Sequence, residues 1–193
     1  TVTVGDRSVP VDTGFMVFNE RTYPHFVRML DELGVASRPS DMSFSVQCAR
    51  CDVEYSSVGL RGLFAQGRQA FSTPHLAMLA DVRRFFRAGR TALADGSAAP
   101  LTLGAFLDRH GFGEGLMRHF VLPMGGAIWS ASSRAMRDFP AASYLRFLEN
   151  HGLLAASGQP VWRTIVGGSR TYVQRIAEAL GGGVRVGTPA TSV

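Results

Sequence analysis

The chain has 193 residues, 46% of them apolar, which suffices for an ordinary core and excludes a disordered tail. No apolar run approaches the ~20 residues of a membrane-crossing helix, which excludes a helical span. The formal charge is +5 and all 20 basic residues are arginine. Their densest group, Arg83, Arg84, Arg87 and Arg90, reads as a solvated helix face; with no nucleic-acid motif beside it, nucleic acid is not an expected partner.

Thr1–Val4 and Ser8–Val11 flank Gly5-Asp6-Arg7 and predict a hairpin. This opening reads as a strand and a turn, not as a signal peptide, and it lacks an initiator Met. The expectation is a piece of a longer, cytoplasmic protein. Thr22 and Pro24 begin a helix whose Phe26, Met29, Leu30 and Leu33 share one face and which Gly34 stops. MSFSV and VEY predict two short strands around Cys48-Ala49-Arg50-Cys51. Thr73 and Pro74 start a helix that Leu76, Leu79, Val82 and Phe86 carry toward Leu93.

ADGSAAP is a loop. Thr102 opens a helix with Leu103, Phe106 and Leu107 facing in and Gly111 at its end. A further helix is expected from Glu114 to Leu122, stopped by Pro123. MGGAIWSASS follows, its glycine pair allowing backbones to approach closely. Pro140–Asn150 is a helix with Tyr144, Phe147 and Leu148 inward. QPVWRTIV is a strand, Gly167-Gly168-Ser169 is a turn whose serine can cap a helix over Thr171–Leu180, and VRVGTPATSV reads as strands. The fold class is α+β, a mainly helical middle with a small β-sheet between strand-rich ends. Such ends suggest two edges of one domain bracketing a second: residues 1–40, 41–160 and 161–193.

Cys48 and Cys51 form a C-x-x-C pair. A closed zinc site needs two more ligands, no second pair follows, and His25, His75, His110, His119 and His151 lack metal-ligand spacing. The expectation is two reduced thiols in a hairpin turn and no metal, with a redox dithiol as the alternative. Gly111–Gly115 lacks the spacing of a dinucleotide fingerprint and sits between helices. No Ser-His-Asp or paired-carboxylate motif stands out, so no catalytic residue is assigned.

Asp12-Thr13-Gly14-Phe15 admits two readings, a turn packing a hairpin onto a helix or a backbone lying close to a planar ring. Gly167 and Gly168 admit the same pair. Phe44, Tyr55, Trp129 and Trp162 are pocket lining or plain core.

Three stretches carry a resemblance when taken in order. They are VDTGFMVFNERTYPHFVRMLDELGV; LPMGGAIWSAS with FPAASYLRFLENHGLL; and VWRTIVGGSRTYVQRIAEAL followed by VRVGTPATSV. Together they resemble the flavin-containing amine oxidase superfamily, which includes amine oxidases, phytoene desaturases and protoporphyrinogen oxidases. Within it they look like the branch of bacterial predicted NAD/FAD-binding proteins associated with cyclopropane fatty acid synthesis. The resemblance covers nearly the whole chain.

It implies an FAD-dependent oxidoreductase that moves hydride from a hydrophobic, lipid-like substrate to flavin. Residues 1–40 are then an edge of the FAD-binding domain, 41–160 the substrate domain and 161–193 the return to the FAD-binding domain. Asp12, Thr13, Gly14 and Phe15 pass near the isoalloxazine ring, and Val193 ends near the adenine side. Gly167 and Gly168 lie near substrate and flavin, with Phe44, Tyr55, Trp129 and Trp162 around the pocket.

In this family an N-terminal βαβ unit carries the glycine fingerprint and holds the pyrophosphate. The sequence departs by opening after it, so the chain alone is expected to be inactive and to bind no FAD tightly. Contact with a lipid surface and pairing of two copies through the strand-rich ends are further expectations. The alternatives are a flavin-dependent isomerase without net redox change and a cofactor-free helical binding domain.

Overall fold

The computed structural model describes residues 1–155, 158 and 160–189. Along the chain run β1 (Val2–Val4), β2 (Arg7–Val9), β3 (Val17–Phe18), α1 (Pro24–Glu32), β4 (Ser37–Pro39), β5 (Ser45–Cys48) and β6 (Val53–Ser56). Then come α2 (Gly59–Leu63), a 3-10 turn (Gly67–Phe71), α3 (Thr73–Ala94), α4 (Leu103–Arg109), α5 (Glu114–Leu116), a π-turn (Met117–Val121) and α6 (Leu122–Trp129). The series ends with α7 (Ser133–Asp138), α8 (Ala141–Asn150), β7 (Arg163–Ile165) and α9 (Arg170–Ala179). The fold is α+β, helices with small antiparallel sheets. No described helix is long and apolar enough to cross a membrane. Contacts divide the chain into two compact units, Thr1–Asp41 with Pro160–Val193, and Met42–Gln159.

In the first unit β7 is the middle strand of an antiparallel sheet ordered β3-β7-β4, with Val17 and Arg38 both opposite Thr164. Its core is Phe18, Leu30, Val35 and Ile165. The Phe26 ring meets Phe15, Phe18 and Tyr172 edge-on at 5.0, 5.1 and 5.5 Å, an arrangement that puts positive ring edges on negative faces. Buried Asn19 starts α1: its side chain accepts the Thr22 N–H (2.9 Å) and its carbonyl the Tyr23 N–H (3.2 Å).

The β1–β2 hairpin pairs Val2 with Val9 and is exposed throughout. The expected strands at the end of the chain are not found among the described residues. Val184–Pro189 form no ladder: Gly181–Gly183, Gly187 and Pro189 interrupt the run, and Val186 stays 88% exposed. The remainder of that segment, including Val193, lies outside the described residues. The strand expected over QPVWRTIV is confined to Arg163–Ile165.

In the second unit β5 and β6 form the hairpin expected around the cysteines, with Ser45 opposite Ser56 and Cys48 opposite Val53. Ser72, one residue before the expected start, caps α3 by accepting the His75 N–H, with proline in the first turn. The buried face of α3 is His75, Met78, Phe85, Gly89 and Ala92, while Leu76 is exposed. Thr102 and Ser132 cap α4 and α7 in the same way as Ser72. Leu103, Phe106 and Leu107 are buried as expected. In α8, Tyr144 and Leu148 are buried as expected; Leu145 is buried with them, and Phe147 is half-buried, stacked on His151.

Pro123 does not stop its helix. The chain passes from α5 through the π-turn into α6 and stays helical to Trp129. Proline lies in the first turn of α6, where its missing N–H and fixed φ are tolerated, and the π-turn takes up the change of register. Two tyrosines bond carbonyls of that turn: Tyr55 Oη donates to the His119 carbonyl (2.6 Å) and Tyr144 Oη to the Val121 carbonyl (2.9 Å). Burial raises both hydroxyls well above their ordinary values, so both stay protonated donors.

The glycine pair, Gly125 and Gly126, lies inside α6. A Cβ on Gly125 would stand 2.6 Å from Met136 Cε and 3.0 Å from Tyr144 Cε2. Overpacking of this kind costs about 1–3 kcal/mol, against about 1 kcal/mol regained in helix propensity. Gly125→Ala is expected to lower stability by roughly 1 kcal/mol in urea unfolding, since the overpacking term is the larger. An unchanged or raised midpoint contradicts the close approach.

Candidate functional site

The two turns singled out in the sequence, Asp12–Phe15 and Gly167–Ser169, meet in the first unit. Gly167 and Gly168 have φ of +84° and +83°, a region that L side chains rarely adopt. They turn the chain from β7 into α9. A Cβ on Gly168 would stand 3.1 Å from Asp12 Oδ2, so a bare backbone lets the carboxylate come close. Asp12 Oδ2 then accepts the Ser169 N–H at 2.7 Å.

Ser169 was expected to cap α9 with its own side chain. It does not: its hydroxyl donates to the Phe15 carbonyl at 2.7 Å, and Tyr172 Oη donates to the same oxygen at 3.3 Å. The carboxylate from the other end of the sequence supplies the acceptor. Negative charge is also favoured by the positive end of the helix. The hydrogen bond from the Ser169 amide holds the Asp12 carboxyl below its ordinary range. Gly14 closes the contact, since a Cβ there would stand 3.1 Å from Ser169 Cβ.

The outer surface of the turn is apolar. Thr13, Gly14, Phe15 and Met16 are exposed, Phe15 at 42%, although its ring packs against Tyr23 and Phe26 at 5.2 and 5.0 Å. The turn is therefore anchored from behind and presents a ring and a bare backbone in front.

The remaining site residues separate. Trp162 is buried in the first unit, its carbonyl accepting the Ser40 N–H. In the second unit Phe44 meets Tyr55 at 6.5 Å and Phe120 at 6.1 Å. Trp129 packs with Phe139, Tyr144 and Phe147 at 4.8–5.6 Å. Between Phe44 and Trp129 lie the core rings Phe120, Phe85 and Tyr144. A groove of about 280 Å³ on α3 is lined by other residues, among them Arg84, Arg87, Thr91 and Phe112.

One grouping was not legible in the sequence: His119 joins Cys48 and Cys51, with the ligand atoms of all three within 4.8 Å of one another. The three were visible as residue types. The π-turn that brings the histidine round was not.

A family model described as flavin containing amine oxidoreductase matches residues 1–193. The chain belongs to this family. No curated protein matches it. Membership makes the protein flavin oxidoreductase-like and implies FAD as the cofactor of full-length relatives.

A flavin needs a wall for a flat apolar ring and an anion cradle for its pyrophosphate. The exposed face of Gly14 and Phe15 fits the first need. The N-terminus of α9, the helix that follows a strand and a glycine pair, does not fit the second, because its leading amide already holds a carboxylate.

Because the Asp12 value is lowered in the folded state, the Asp12–Ser169 contact is intact above the ordinary carboxylate range. It is lost as pH falls through the lowered value. In a carboxyl ¹³C titration Asp12 should show a midpoint below that of an aspartate in an unfolded peptide. Ser169→Pro, which suits the φ of −59° and removes the amide, should raise that midpoint. A midpoint indifferent to the substitution contradicts the assignment.

Proposed function

We propose that the protein containing this chain is an FAD-dependent oxidoreductase that takes hydride from a hydrophobic, lipid-like substrate, in the manner of the amine oxidase and desaturase branches. The observation that carries this reading is the anchored Gly14–Phe15 turn in a chain of this family. When bound, FAD supplies the hydride acceptor. Gly14 would let backbone approach the bound ring, and Phe15 would offer it an apolar, water-excluding wall. Asp12 fixes the turn through Ser169 and does not itself touch the reacting atoms. Residues 1–40 and 161–193 are assigned to the FAD-binding domain and 41–160 to substrate binding.

The apolar class of the substrate is supported by surface residues of the second unit. Leu60 and Phe71 are 75% and 89% exposed in neighbouring turns, which suits contact with a lipid surface. Within the substrate-binding part, Phe44, Tyr55 and Trp129 are the candidates for contact with the substrate chain. Weak FAD binding by the chain alone is supported by the occupied end of α9. Exposed valines of the β1–β2 hairpin, Val2, Val4 and Val9, support pairing of two copies at that edge.

The visible spectrum of the purified full-length protein is the test. It should show stoichiometric flavin that bleaches anaerobically with a long-chain alkylamine or an unsaturated fatty acid. The 193-residue chain mixed with FAD should retain none through gel filtration. A colourless full-length protein defeats the flavoenzyme reading. A flavin indifferent to both long-chain probes defeats the substrate class.

A further inference from the structure

Cys48 ends β5 and Cys51 lies in the turn to β6, where the Cys51 N–H donates to the Cys48 carbonyl (3.3 Å) and Asp52 takes a left-handed φ of +52°. The turn brings both thiols to one place. His119 arrives from the π-turn, bringing three ligand atoms within 4.8 Å of one another. Its Nε2 is buried and has no hydrogen-bond partner among the described residues. A buried nitrogen left without a partner is disfavoured unless something else satisfies it.

The frame around these side chains is tied together. The β5–β6 ladder fixes the cysteine backbone, and Tyr55, on β6, donates to the backbone carbonyl of His119 at 2.6 Å. One hairpin thus positions all three groups. Arg118 is paired with Glu114 at 2.5 Å.

We propose that Cys48, Cys51 and His119 bind one zinc ion, with a fourth position open to water or an external ligand. Two sulfurs on a tetrahedral zinc, each at about 2.3 Å, stand roughly 3.8 Å apart, so the cluster needs to close by no more than about 1 Å. That is within the reach of side-chain rotation. The fourth direction opens to solvent, because Cys51 is exposed and Cys48 and His119 are half-buried. Three protein ligands with one exchangeable position is the pattern of reactive rather than purely structural zinc sites. The chain expected from sequence to lack a metal site because its cysteine pair had no companions acquires a third ligand through the fold. The proposal is independent of the flavin reading.

The chain, reduced with a phosphine and freed of metal, is titrated with Co²⁺ as the spectroscopic substitute for zinc. One equivalent should produce thiolate-to-cobalt charge-transfer absorption and tetrahedral ligand-field bands, both removed by one equivalent of Zn²⁺. His119→Gln and Cys51→Ser should each weaken binding by about tenfold or more, the least expected when even a supporting group around a metal is lost. Cys51 is exposed, so its replacement leaves the core intact. Absence of the charge-transfer band, or bands and affinity unaltered in His119→Gln, overturns the proposal.

Discussion

The carboxylate of Asp12 accepts the N–H of Ser169 across 157 positions of sequence, and the meeting of the two turns in the first unit depends on that contact. It satisfies an amide at the start of α9, which frees the Ser169 hydroxyl to hold the Phe15 carbonyl. Two glycines with left-handed φ and a third without room for a Cβ surround it, so each departure from ordinary side-chain chemistry in these turns has the same cause. The sheet nearby is built on the same principle of closure between distant segments: β7, late in the chain, is held on both edges by β3 and β4 from its beginning.

The second unit depends on a different device. A proline in the first turn of α6 follows a π-turn, and Tyr55 and Tyr144 supply hydroxyl donors to carbonyls of that turn. Local backbone irregularity is thereby covered by side chains from a hairpin and from α8. The Tyr55 bond also fixes His119 beside the cysteine turn, so one irregular helix turn joins core packing to the proposed metal site.

Signals local in sequence were legible. Proline near a helix start and a threonine cap gave α1, α3 and α4 close to their true extents, and alternating apolar residues gave the β5–β6 hairpin, although β5 begins at Ser45, three residues later than expected, and runs on to Cys48. Non-local outcomes were not. Pro123 reads as a stop because a π-turn has no sequence signature. Ser169 reads as a cap because the competing acceptor, Asp12, lies at the other end of the chain. Val184–Val186 reads as a strand because its β-propensity is visible, whereas the lack of a ladder is a property of the fold. The turns at Asp12–Phe15 and Gly167–Ser169 were legible one by one; their meeting was carried by family resemblance, not by spacing.

Amide hydrogen exchange at Ser169 tests the Asp12 contact most directly. In the native chain above the carboxylate range, that amide should exchange slowly relative to the exposed amides of the β1–β2 turn. In Asp12→Ala its protection should fall to theirs, while the Leu103 amide, bonded to the Phe139 carbonyl in the second unit, keeps its own. A Ser169 amide that exchanges freely in the native chain, or remains protected in Asp12→Ala, would contradict the account.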